Sequence, residues 1–175
     1  MALINYRVRN DIQRYLDQNQ IPRERLCLVN IGHWQDIQRR VEEAFVDQRK
    51  SPRDGLHWIS LSDRFREDVD ILAVYDTWSH PDWMLRLPDI LPEPQAYLFV
   101  EDAHAKMWIY EGCVREIARL LHEEVFNSEY CVIGPKYGWM LCVNHHGTAL
   151  FANRRGCIGF DPIAIQNLII KEEIS

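Results

Sequence analysis

The chain has 175 residues, 47% of them hydrophobic and 26% charged, which is the composition of an ordinary soluble globular protein. A formal charge of −6 argues against a protein that wraps nucleic acid, and no apolar run approaches the roughly 18 residues of a membrane span. Five widely spaced cysteines form no C-x-x-C pair, and the N-terminus lacks the apolar core of a signal peptide. We therefore expect reduced thiols in a cytoplasmic protein.

Residues 1–94 predict a helical and partly irregular half. Ile4, Val8, Ile12 and Leu16 recur every fourth residue, which is typical of an amphipathic helix. A second apolar stripe predicts another helix over residues 34–47. Short apolar runs indicate strands over residues 25–31, 56–61 and 70–78, whereas four prolines make residues 80–94 largely irregular.

Residues 95–152 predict a sheet. Two alternating strands flank residues 102–105 as a hairpin, and we expect one sheet face to carry four aromatic residues, Tyr97, Phe99, Trp108 and Tyr110. A helix follows over residues 113–126. Three more strands, EYCVIG, GWMLCVN and GTALFAN, are joined by connections too short for parallel pairing, so they form a meander.

These elements predict one α+β domain over residues 1–175, with helices packed on a mainly antiparallel sheet. Asp161 and Pro162 are typical of a helix start and predict a closing helix over residues 161–172. Within the sheet we expect a buried face formed by Trp139, Leu141 and Val143.

Two adjacent histidines, His145 and His146, lie between two apolar runs in the segment NHHG. At a hairpin tip, Asn144 and Gly147 would be ordinary turn residues and both imidazoles would be exposed. In a continuous strand, the two side chains would point to opposite faces and could not share one ion. A catalytic zinc also needs a third protein ligand, which the sequence does not single out. A structural or binding role is the preferred interpretation, and a metal site and acid–base catalysis are the two alternatives.

Other candidate residues also point to binding. No G-x-S-x-G, P-loop or G-x-G-x-x-G motif occurs, so we expect neither an enzyme nor a cofactor. Residues 1–60 carry ten basic and eight acidic side chains, whereas residues 61–175 carry ten and eighteen, a net charge of −8 that could steer a basic partner. The candidate partner-binding residues are Glu101, Asp102, His104, Asn144, His145 and His146.

The segments EYCVIG and GWMLCVNHHG resemble the C-terminal region of a family of small, uncharacterised bacterial proteins. The matching residues are Glu129, Tyr130, Trp139, Leu141, Cys142, Asn144, His145 and His146, and the resemblance covers residues 95–153. Val143 and Gly147 stand where that family often has Glu and Asp, which weakens a metal-binding interpretation. In size, acidity and lack of catalytic motifs, such proteins resemble cytoplasmic immunity proteins that neutralise bacterial toxins.

The resemblance and the charge together predict a non-enzymatic protein-binding module of the immunity or antitoxin type, with a basic toxin domain as partner. The alternative is a metal-dependent, hydrolase-like enzyme that uses His145 and His146. The two hypotheses differ in what they require of the histidine pair: exposure to a partner in the first, and a complete set of metal ligands in the second.

Overall fold

The computed structural model describes residues 7–50, 62–76, 81–102 and 106–173. Seven strands form one sheet in the order β1-β4-β3-β5-β6-β7-β2, and every neighbouring pair is antiparallel. The strands are β1 Leu26–Leu28, β2 Val69–Asp76, β3 Gln95–Asp102, β4 Lys106–Cys113, β5 Tyr130–Ile133, β6 Trp139–Val143 and β7 Thr148–Arg154. The helices are α1 Arg7–Gln18, α2 Ile31–Phe45, α3 Leu87–Ile90, α4 Val114–His122 and α5 Pro162–Glu173. The predicted α+β class is therefore confirmed.

The predicted meander is confirmed as β5, β6 and β7, and the predicted hairpin as β3 and β4. Two strands from the N-terminal half extend this sheet at its edges, because β1 pairs with β4 and β2 pairs with β7. The strand predicted for residues 56–61 lies outside the described residues. That the whole chain is one domain stays a prediction, although buried side chains of α1 through α5 belong to one hydrophobic cluster.

The shared aromatic face predicted for the β3–β4 hairpin is wrong. Asp102 pairs with Lys106, so Trp108 lies opposite Val100, and Tyr97 lies opposite Glu111. Residues directly opposite each other on antiparallel strands share a face. Three residues separate the two strands in the sequence. With this odd number, even-numbered residues of β3 lie opposite even-numbered residues of β4, and odd-numbered ones opposite odd-numbered ones. The aromatic residues of β3 are thus on one face and those of β4 on the other.

Helices and loops bury both faces of the sheet. On the face that carries Trp108, the short 3₁₀ helix Pro81–Arg86 inserts Trp83 edge-on against Tyr75 and Phe151. This 3₁₀ helix also contacts α4. Trp34 of α2 packs edge-on against Trp108, with ring centroids 5.0 Å apart.

Two predicted features of the C-terminal half are confirmed, and one needs correction. Trp139 and its face neighbours in β6 are buried, and the indole N–H of Trp139 donates to Glu93. Asp161 begins α5, because its carboxylate accepts a hydrogen bond of 2.9 Å from the backbone N–H of Ile163. The helix predicted over residues 113–126 ends earlier, at His122, because Glu124 adopts a left-handed conformation with φ of 48°.

The expectation of reduced cysteines is wrong for one pair. The register of β5 and β6 places Cys131 directly opposite Cys142, with Cα atoms 4.3 Å apart, and the two form a disulfide. Both side chains are buried, as predicted for Cys142, which makes a Cys142–histidine dyad untenable. The other three cysteines are free. None of the described helices has the length and apolarity needed to cross a membrane, and the cytoplasmic location stays a prediction.

Candidate functional site

The segment of residues 144–147, here called the HH loop, is the tip of the β6–β7 hairpin. The side-chain oxygen of Asn144 accepts hydrogen bonds from the backbone N–H groups of His146 and Thr148, both 2.9 Å long. Gly147 closes the turn with φ of 72°, a left-handed conformation that costs glycine little. Both imidazoles are exposed and their ring centroids lie 3.9 Å apart. The hairpin-tip interpretation is confirmed.

One of the two histidines has a carboxylate partner. The Nδ1 atom of His145 lies 2.5 Å from the Oε1 atom of Glu129. The pairing of Tyr130 with Val143 explains the contact, since it brings the residue before β5 next to the residues after β6. The Glu129 side chain is only 11% exposed, whereas that of His145 is 51% exposed. The pair is thus anchored on the protein side and open to solvent on the imidazole side.

His145 of this pair lines a cleft of about 440 Å³. The cleft is formed by the end of α4, the segment that leads into β5, the HH loop and the 3₁₀ helix Pro81–Arg86. Its apolar lining consists of Met84, Leu121, Phe126, Tyr130 and Val143. Its polar lining consists of His122, Glu124, Asn127, Ser128, Asn144 and His145, with Gly147 of the HH loop. The buried side chains of the lining, Leu121, Tyr130 and Val143, are largely apolar, and the exposed ones, Glu124, Asn127 and His145, are polar, as at the edge of a ligand site.

Several polar groups around the cleft lack strong partners within the described residues. Tyr130 is 5% exposed, and its hydroxyl contacts the Met84 sulfur at 4.0 Å, a weak acceptor. Burial raises the pKa of this phenol, which therefore stays protonated. The Nδ1 atom of His122 is buried 3.8 Å from the Asp82 carboxylate, too far for a hydrogen bond. The exposed Glu124 carboxylate has no partner in the described part of the chain.

The candidate residues of the β3–β4 hairpin have different surroundings. Asp102 is buried and accepts hydrogen bonds from the backbone N–H of Arg9 and the indole N–H of Trp108, so it ties α1 to the sheet. Glu101 is half-buried, and its backbone exchanges hydrogen bonds with Ser128 and Glu129 beside the cleft. His104 lies outside the described residues. Whether any of these residues contacts a partner stays a prediction.

The structure thus groups the HH loop with residues that the sequence analysis did not assign to a common site. These residues are His122, Glu124, Phe126, Glu129 and Tyr130. Two signals pointed toward them. The segment LHEE at residues 121–124 combines a histidine with carboxylates at a helix end, and Glu129 and Tyr130 belong to the motif that resembles a known family. Neither signal contained the information that these segments meet, because that depends on strand pairing.

A metal at the HH loop would have few ligands. His145 and His146 could supply imidazole nitrogens, and since Nδ1 of His145 faces Glu129, its nitrogen for a metal would be Nε2. Among the residues that the structure describes, no group of three or more His, Cys, Asp and Glu side chains is arranged to hold a metal ion.

Comparison with known proteins gives one match. The model of a family of unknown function, DUF6756, matches residues 4–155. The match includes most of the N-terminal half, which the resemblance of the C-terminal motif did not reach. No curated protein and no solved structure matches the chain.

Proposed function

Because the chain belongs to DUF6756, a family of unknown function, we propose a function from the site itself: a non-enzymatic protein-binding module of the immunity or antitoxin type. In this proposal, the cleft beside the HH loop binds a basic toxin domain and neutralises it by covering part of its surface. The observation that carries the proposal is a cleft whose described lining combines apolar side chains with the carboxylate of Glu124 and contains no Lys or Arg.

The charge around the cleft supports a basic partner. The Asp82 side chain, next to His122, is 85% exposed, and Glu124 extends from the end of α4 into solvent. Both belong to residues 61–175, which carry the net charge of −8. Carboxylates at a rim increase the association rate of a cationic partner and exclude anionic ones.

The side chains of the cleft support binding better than catalysis. Histidine paired with a carboxylate can act as a general base, but it needs a nucleophile or substrate proton within reach. The Ser128 hydroxyl donates to the backbone oxygen of Glu101 at 2.5 Å, so it is already engaged. Tyr130 is held in its protonated form by burial. These groups can donate and accept hydrogen bonds, which is what a recognition surface requires.

The proposal is tested by affinity capture from an extract of the native organism. The wild type is compared with two cleft variants, Glu124→Gln and His145→Ala, and with the control Glu67→Gln, which removes an exposed carboxylate just before β2. We expect the wild type and the control to retain one basic protein that elutes with salt, and the cleft variants to lose it. The captured protein should be toxic when expressed alone and harmless when coexpressed with the wild type.

Capture that ignores the cleft variants would contradict the proposed site. Absence of any specific protein, together with turnover of a small molecule that depends on His145, would contradict the proposed function and favour an enzyme.

A further inference from the structure

We infer that the cleft beside the HH loop is a receptor for a single cationic side chain, lysine or arginine, of the partner. The aliphatic stem of that side chain lies on the apolar floor, and its charge lies beside the Glu124 carboxylate at the rim. This inference rests on the proposed function, because it names the group that the partner inserts.

The floor of the cleft suits an aliphatic stem. Met84, Leu121 and Val143 supply apolar surface, and Phe126 packs edge-on against Tyr130 with ring centroids 6.0 Å apart. Lysine and arginine bury their methylene groups along such surfaces while the charge stays near solvent. A volume of about 440 Å³ accommodates one long side chain and part of the backbone that carries it.

The charges of the cleft select a cation. Glu124 is the one carboxylate among the described residues that line the cleft, and none of these residues is Lys or Arg. The Glu129 carboxylate lies next to the cleft, in contact with His145 of its lining. One oxygen of Glu129 faces His145, and the other has no partner among the described residues. A cation that enters therefore meets negative charge without a competing fixed positive charge.

A buried hydroxyl supplies an observation independent of the carboxylates. Tyr130 lines the cleft and is 5% exposed, and the one hydrogen bond that its hydroxyl makes to the described residues is the weak bond of 4.0 Å to the Met84 sulfur. Buried hydroxyl groups nearly always have a full hydrogen-bond partner. An N–H group of an ammonium or guanidinium would donate to the phenol oxygen and satisfy it.

Glu124 also occupies a position where its own backbone is disfavoured. Its φ of 48° is a conformation that glycine adopts far more readily at the end of a helix. Glu124→Gly should therefore maintain or raise the melting temperature while it removes a carboxylate from the cleft. A loss of cation binding in this variant cannot be attributed to loss of the fold.

The inference is tested by titrating the uniformly ¹⁵N-labelled protein with blocked amino acids and following its amide resonances. The probes are the N-acetyl methylamides of lysine, arginine, norleucine and glutamate. Lysine and arginine should shift resonances of residues 124–130 and 143–147 saturably. Norleucine has an uncharged aliphatic stem and should bind about tenfold more weakly, because it lacks the charge-assisted hydrogen bonds. A comparison of the affinities for the lysine and arginine probes identifies the preferred cation.

Variants assign the binding to the cleft. Glu124→Gln, Glu124→Gly and Tyr130→Phe should each weaken lysine or arginine binding several-fold, and the control Glu67→Gln should not. Equal binding of norleucine would overturn the inference in favour of a purely apolar pocket. Preferential binding of glutamate would overturn the inference and indicate an anion site. A complete absence of saturable shifts would also overturn it and indicate that the cleft binds no single side chain. Any of these results, combined with capture of a partner that the cleft variants lose, would refute the cation receptor and leave the protein-binding function intact.

Discussion

The contact between Glu129 and His145 should stabilise the HH loop measurably, and a double-mutant cycle tests this. The cycle consists of the wild type, Glu129→Ala, His145→Ala and the double variant. Each single substitution removes the 2.5 Å contact, so the coupling energy isolates the contribution of the pair. His146→Ala in a second cycle with Glu129→Ala is the matched control, because it removes the other exposed imidazole of the same loop.

The expected magnitude follows from the exposure of the two side chains. A hydrogen bond to a charged group contributes about 1.5–3 kcal/mol, whereas a fully exposed ion pair contributes about 0.2–1 kcal/mol. Glu129 is 11% exposed and His145 51%, so the pair lies between these cases. We expect a coupling energy of about 1 kcal/mol for His145 and near zero for His146. For a chain of this length, 1 kcal/mol corresponds to a shift in melting temperature of about 2–4 °C.

Equilibrium unfolding in urea, followed by tryptophan fluorescence, measures the four free energies of each cycle. A coupling energy for His145 that is no larger than that for His146 would show that the pair makes no net contribution. In that case Glu129 would not position the HH loop, and the cleft would have to be regarded as adaptable rather than pre-formed.

Three further predictions concern the disulfide, an acidic side chain and metal binding. Alkylation of the denatured protein without reductant should modify three of the five cysteines, and Cys131→Ser should raise that number to four by freeing Cys142; five modified cysteines in the wild type would contradict the disulfide. Hydrogen bonds from the Arg49 side chain lower the pKa of Asp47 from 3.8 to about 2. The ionised Asp47 carboxylate should therefore stabilise the fold above pH 4, and this contribution should disappear as the pH falls toward 2 and be absent in Asp47→Asn. Parallel pH profiles of stability for the two proteins would refute this. A chelator should leave the melting temperature unchanged, whereas a stoichiometric metal and a chelator-sensitive melt, both lost when the two histidines of the HH loop are replaced by alanine, would favour the metal-dependent enzyme.

The sequence by itself determined most of the secondary structure, because helices and strands depend on local periodicity and on residues at their ends. Apolar residues at every fourth position, among them Ile12 and Leu16, are sufficient to identify α1. The pair Asp161 and Pro162 is sufficient to locate the start of α5. The short connections between β5, β6 and β7 leave antiparallel pairing as the only option, since parallel strands need long crossovers. In the same way, the turn residues of the HH loop identify it as a hairpin tip.

The tertiary structure alone decided which residues meet. The three-residue connection between β3 and β4 separates Phe99 from Trp108, and the register of β5 and β6 places Cys131 opposite Cys142. The same register brings Glu129 to His145, sixteen positions away in the chain. Alternation shows that a strand exists and which residues alternate, but it is unchanged when one strand slides along its neighbour. The candidate site depends on the strand register, because its residues come from separate elements that strand pairing and helix packing bring together.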